Sequence, residues 1–119
     1  MALLIPHHDD PEGLYRSLDS VRPDEPCDVL VVDDGSARHP LNVERAAAHC
    51  QIQGQLFTLA LASNQGIEAA LNAGLAWIRE RGYEYVARLD CGDRNRPGRI
   101  ARQLQYLNEH PDVVLVGGW

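Results

Sequence analysis

The chain has 119 residues, 45% of them apolar, and a formal net charge of −6. That is the size and composition of one compact domain with an ordinary core. The acidic balance argues against a nucleic-acid binder, which would carry a basic surface, and no 18-residue apolar run offers a membrane-spanning helix. The eleven basic residues are all arginine, a bias read as compositional rather than as a selected anion-binding surface.

In chain order, Ala2–Ile5 reads as a first strand ended by Pro6. Glu12–Val21 reads as a short helix with Leu14, Leu18 and Val21 on one face. Asp28–Val32 has no polar alternation after its first residue and reads as a strand buried on both faces. A weaker helix over Leu41–Gln51 and a third strand over Gln55–Ala60 follow. In Gly66–Arg81 the apolar residues Ile67, Leu71, Leu75 and Ile78 recur at helical spacing, and Gly82 supplies a stop. Tyr83–Leu89 reads as strand four. Pro97–Asn108 reads as a helix with Ile100, Leu104 and Leu107 inward, and Asp112–Val116 as strand five. Strands alternating with helices at this spacing predict βαβ units and a mainly parallel sheet.

Three polar loops then fall at strand C-termini: Pro6-His7-His8-Asp9-Asp10, Asp33-Asp34-Gly35-Ser36 and Asp90-Cys91-Gly92-Asp93. Ligands of open α/β sheets bind outside those ends. Clustered carboxylates repel one another, so their gathering there points to a hard cation against phosphates, or to the hydroxyls of a polar ligand. Simpler readings stand beside this one. Asp33-Asp34-Gly35-Ser36 could be a turn in which Asp34 caps the next helix. Asp90 could accept backbone N–H bonds, and Asn64 and Asn72 could be caps or turn residues. Arg99 is placed to pair with Asp93. His7 and His8 are adjacent and point to opposite faces, which disfavours a metal pair. Cys91 lacks a matched base and is not read as a nucleophile. Cys27, Cys50 and Cys91 fit neither a disulfide framework nor a zinc pattern. With an N-terminus too short for a signal peptide, they place the chain in a reducing cytoplasm.

Taken in order, these segments resemble family 2 glycosyltransferases of the GT-A fold. The resemblance is carried by Leu4-Ile5-Pro6, by Leu14 with Ser17-Leu18 and Ser20-Val21, and by Val31-Val32-Asp33-Asp34-Gly35-Ser36. It continues through Asn64-x-Gly66-x-x-x-Ala70-x-Asn72-x-Gly74, Leu89-Asp90-x-x-Asp93 and Pro97-x-Arg99 with Gln103. It implies a Rossmann-like three-layer α/β sandwich with helices on both faces of the sheet. It also implies inverting transfer of a sugar from a nucleotide-diphosphate donor to an acceptor, with Mg²⁺ or Mn²⁺. Residues 1–119 would form a single domain, the N-terminal, nucleotide-sugar-binding part.

By the same resemblance, Pro6, His7 and Asp9 would line the base and ribose pocket, and Asp33 would hydrogen-bond the base. Asn64, Gly66 and Asn72 would shape the ribose and sugar pocket. Asp90 would face the diphosphate and, with Asp93, hold the metal. The family's acidic loop commonly reads Asp-x-Asp-Asp, so Gly92 stands where a carboxylate is usual and predicts weaker metal binding. Asp9 stands where Asn is frequent. The acceptor half and the general base are expected beyond residue 119, which predicts no transfer by this chain alone. Expected partners are a nucleotide-sugar donor and an acceptor of unassigned structure, with no nucleic acid and with peripheral membrane association open for a full-length protein. The uncharged run Val113–Val116 predicts self-association. The alternatives are a sugar nucleotidyltransferase of similar fold, disfavoured because the loop after strand one has no glycine, and a non-catalytic nucleotide-binding or scaffold module.

Overall fold

The computed structural model describes residues 1–110. The expected fifth strand, Asp112–Val116, and the self-association run within it lie outside the described residues. The elements are β1 (Ala2–His7), α1 (Pro11–Ser20), β2 (Asp28–Asp33), α2 (Val43–His49), β3 (Leu56–Ala60), α3 (Ile67–Glu80), β4 (Val86–Arg88) and α4 (Arg99–Glu109).

The strands form one sheet in the order β3-β2-β1-β4, with every pair parallel. Alternation along the buried strands sends successive side chains to opposite faces. Leu3, Ile5, Val29 and Val31 meet Leu14 and Leu18 of α1, Ala46 of α2 and Ile100 of α4. Ala2, Leu4, Leu30 and Val32 meet Ala70 and Ile78 of α3. This is the expected three-layer α/β sandwich: three helices cover one face and α3 the other. Among the described residues no helix is long and apolar enough to cross a membrane.

The contact face of α3 differs from the one read from spacing. Ile67 and Leu75 are exposed, while Ala70, Gly74 and Ile78 are buried. Small residues let the helix axis approach the strands closely. A Cβ on Gly74 would lie 2.5 Å from Leu4 Cδ1 and 3.0 Å from Val32 Cγ2, so any side chain there would push α3 off the sheet. In α4 the inward set is Ile100, Gln103 and Leu107 rather than Ile100, Leu104 and Leu107.

Strand β4 is shorter than Tyr83–Leu89 at both ends, and Pro6 supplies a reason for the stop at its C-terminal end. Leu89 N–H donates to the Leu4 carbonyl at 3.0 Å. Alternate residues of β1 face β4, so the next rung needs an N–H at position 6, which proline lacks. The β1–β4 ladder stops there, and the chain after Leu89 is released into the Asp90 loop.

Candidate functional site

Because all strands run parallel, the loops after β1, β2, β3 and β4 share one side of the sheet. Asp33 pairs in register with His7, and Arg88 with Leu4. Asp33 and Asp90 therefore lie on the same edge, as the sequence predicts.

The first two loops are cross-braced by their own polar side chains. His7 is buried, and its Nδ1 lies 3.1 Å from Asp33 Oδ1. Its Nε2 accepts the Asp10 N–H at 3.2 Å. The ring is thus the neutral tautomer that donates from Nδ1 to the carboxylate. Asp33 Oδ1 also accepts the Ser36 hydroxyl, and the Leu41 N–H approaches Oδ2 at 3.4 Å. Ser36 Oγ accepts the Asp9 N–H at 2.8 Å. Asp9 Oδ1 in turn accepts the N–H groups of His39 at 2.8 Å and Arg38 at 3.0 Å. The His39 N–H, joined by that of Arg38, holds the Asp9 carboxyl below its ordinary value. Asp9 carries a positive φ of 49°, an unusual backbone fixed by these bonds.

Asp34 does not cap α2; Asn42 does, accepting the Arg45 N–H at 3.1 Å. The buried Asp34 carboxylate reaches across to the loop before α3. There it accepts the N–H groups of Gln65 at 2.9 Å and Gly66 at 3.0 Å. Asn64 Oδ1 accepts the Gly66 N–H as well, at 3.1 Å. Between these loops stands His8. Its Nδ1 donates to the Asp34 carbonyl at 3.0 Å, and its Nε2 accepts from Asn64 Nδ2 at 3.2 Å. Pro6 is buried in β1, whereas Asn72 is exposed on α3 and its side chain makes no hydrogen bond among the described residues.

The loop after β4 is held in a different way, by its backbone. Gly92 N–H donates to Ser17 Oγ at 2.9 Å and to the Gly13 carbonyl at 3.1 Å. The Ser17 hydroxyl donates to the Asp93 carbonyl at 2.7 Å, with the Asp90 carbonyl at 3.3 Å. Asp93 N–H closes the turn onto the Asp90 carbonyl at 2.9 Å. Neither carboxylate is needed to hold the loop. Asp93 is exposed; Asp90 is about half exposed, and its Oδ1 accepts from Arg88 Nε at 2.7 Å. Arg99 does not reach Asp93. Its guanidinium donates to Asn95 Oδ1 at 3.1 Å and to the Arg88 carbonyl at 3.0 Å. Burial first, and the nearby Asp10 carboxylate second, push the Cys91 thiol up to about 12. It is a neutral thiol at pH 7 and no nucleophile.

Among the described residues no three His, Cys, Asp or Glu side chains converge as a ready-made metal cage. The loop offers two outward carboxylates. That donor set fits a hydrated Mg²⁺ or Mn²⁺ whose remaining ligands come from water and substrate phosphate. Gly92, at φ 96° with open space around it, adds none.

Sequence reasoning missed His8 and the extent of Ser17's role. The alternation of His7 and His8 was the available signal, since one of the two had to face outward. Ser17 lies within the quoted helix motif, but nothing local shows that its hydroxyl reaches residues 90–93.

A sequence model of glycosyl transferase family 2 matches residues 2–119. The amylovoran biosynthesis glycosyltransferase AmsE of Erwinia amylovora is 33% identical over 109 residues, 90% of this chain and 39% of that protein. An uncharacterized glycosyltransferase of Haemophilus influenzae is 29% identical over 91 residues, 76% of this chain and 32% of that protein. This chain therefore spans about a third to two fifths of the length of these relatives. The crystal structure of S. aureus TarS 1-349 superposes with a TM-score of 0.71 at 21% identity, over 92% of this chain and 32% of that one.

Proposed function

The chain belongs to glycosyl transferase family 2, and from that premise we propose that it is the nucleotide-sugar-binding part of an inverting glycosyltransferase. The observation that carries this reading is the Asp90–Asp93 loop. Its backbone is fixed by Ser17 and Gly13 while its carboxylates stay outward, at the strand ends where α/β sheets take ligands.

In this reading the braced loops after β1, β2 and β3 form the floor for base and ribose. Pro6, His7, Asp9 and Asp33 set its shape, and Asn64, Gly66 and Asn72 border the ribose and sugar. Asp90 and Asp93 face the diphosphate and would hold a divalent cation, which when bound neutralises charge on the leaving diphosphate. The general base belongs to the acceptor-binding part, and residues 1–119 orient the donor without transferring its sugar. The site of action proposed for the whole protein is the cytoplasm. A polysaccharide acceptor is in keeping with the amylovoran relative. Gly92 favours one second reading, a nucleotide-binding module without turnover, because it leaves the loop short of a ligand.

Calorimetry with UDP, GDP and dTDP, with and without Mn²⁺, tests the proposal. The expected result is weak binding of at least one nucleotide, modestly strengthened by Mn²⁺. Silence toward all three would remove the donor-binding reading.

A further inference from the structure

Behind the acidic loop lies a buried polar cluster that the donor-site reading leaves unused. Glu25, between α1 and β2, is 3% exposed. Its Oε2 accepts from Asn95 Nδ2 at 3.0 Å and from the Ile100 N–H at 2.8 Å. The second bond caps α4, whose N-cap residue, Gly98, has no side chain to do so. Asn95, also 3% exposed, donates its backbone N–H to Ser20 Oγ at 2.7 Å and receives Arg99 on its Oδ1. Among the described residues, the buried side-chain atoms without a hydrogen-bond partner are Glu25 Oε1 and Gln103 Nε2. One is an acceptor and the other a donor, and Gln103 sits on the same face of α4 as Ile100. A carboxyl group buried with one oxygen unpaired is costly. An apolar residue here would instead leave the Ile100 N–H and Asn95 Nδ2 unpaired, so what Glu25 does in this space is hold Asn95 and the first turn of α4.

We propose that Glu25, through Asn95 and the first turn of α4, is a positioning residue for the Asp90–Asp93 loop. The loop has two ends. Ser17 fixes the Asp90–Asp93 turn from α1, and Glu25 fixes the exit at Asn95, so the spacing of the two outward carboxylates depends on both anchors. This inference rests on the donor-site reading only for what the loop binds. That the loop depends on Glu25 is testable without any ligand.

The test is hydrogen–deuterium exchange of the 119-residue chain together with titration of Mn²⁺ alone, read by electron paramagnetic resonance. In Glu25→Ala, exchange at Gly92, Asp93 and Asn95 should rise about tenfold. Exchange at Gln65 and Gly66, held by Asp34, should not change. Mn²⁺ affinity should fall in step. Glu25→Gln keeps an oxygen for both donors and should restore both readouts. Asn95→Ala, which spares the Glu25–Ile100 bond, should loosen the same amides by less. A uniform rise across all amides in both Glu25→Ala and Asn95→Ala, or unchanged loop exchange in a folded Glu25→Ala, overturns the inference. A parent chain that binds no nucleoside diphosphate overturns the donor-site reading instead, and the exchange comparison still decides on Glu25.

Discussion

Two acidic regions sit on the same edge of this sheet, and they spend their carboxylates differently. Asp33 and Asp34 are buried and turned inward, each accepting donors from other loops. Asp90 and Asp93 are turned outward on a loop whose backbone, not its side chains, makes the anchoring bonds. Identical chemistry at neighbouring strand ends thus divides into a braced floor and a presented ligand set. A motif of paired acids does not distinguish the two uses; the destination of their hydrogen bonds does.

The largest expected effect comes from breaking the brace. Asp33→Ala leaves a buried His7 and Ser36 without their acceptor and should destabilise the chain by about 3 kcal/mol, measured by urea unfolding. Asp34→Ala removes the acceptor of two N–H groups and should cost about 2 kcal/mol, with faster exchange at Gln65 and Gly66. If either variant unfolds at the parent's midpoint, the inward acids are not braces.

The outward pair should behave in the opposite way. Asp90→Ala and Asp93→Ala should each leave stability within about 0.5 kcal/mol of the parent, since surface pairs such as Arg88–Asp90 contribute little. A larger loss by thermal denaturation would show that the loop needs its carboxylates for structure.

Gly92→Asp sharpens the contrast, because it restores an acid where the family commonly has one. The residue meets open space but must adopt φ 96°, so about 1 kcal/mol of stability should be lost. Its unfolding midpoint set beside that of Gly92→Ala separates backbone strain from added charge: equal losses are expected.

The smallest effect is expected at Asp9. Its carboxyl is held below the ordinary value of 3.8 by backbone N–H groups. The folded value being the lower one, this contribution is complete above pH 3.8 and fades as pH falls through the folded value. Asp9→Asn keeps an oxygen for both N–H groups and removes the charge. It should flatten the stability profile below about pH 4, lose the parent's small advantage at pH 7 and match the parent in acid, which denaturation followed by circular dichroism across that pH range checks.

Much of the scaffold was legible in the sequence because buried parallel strands are continuous apolar runs. Val29–Val32 needed no context to be placed. The misreadings have physical causes. On α3, Ile67 and Leu75 drew the predicted face because they are large, yet a close-packed helix meets its sheet through Ala70 and Gly74. Strand β4 was overextended at both ends, and at its C-terminal end the missing donor that stops the ladder belongs to Pro6, about eighty residues earlier in the chain. At the site, the acid pairs of both loops were visible in the sequence. Their division into inward and outward pairs was not, because it depends on Gln65, Gly66 and Ser17 meeting residues far away in the chain. Arg99 likewise finds Asn95 and the Arg88 carbonyl, partners that local spacing cannot rank against Asp93.

The most direct test of the central claim is the Mn²⁺-dependent gain in nucleoside diphosphate affinity, measured by calorimetry for the parent chain, Asp90→Ala and Asp93→Ala. The account predicts a small gain in the parent and its loss in both variants, a change of up to about tenfold or 1.4 kcal/mol, with metal-free binding retained. Equal gains in all three chains would contradict it, and would show that the outward carboxylates do not hold the cation.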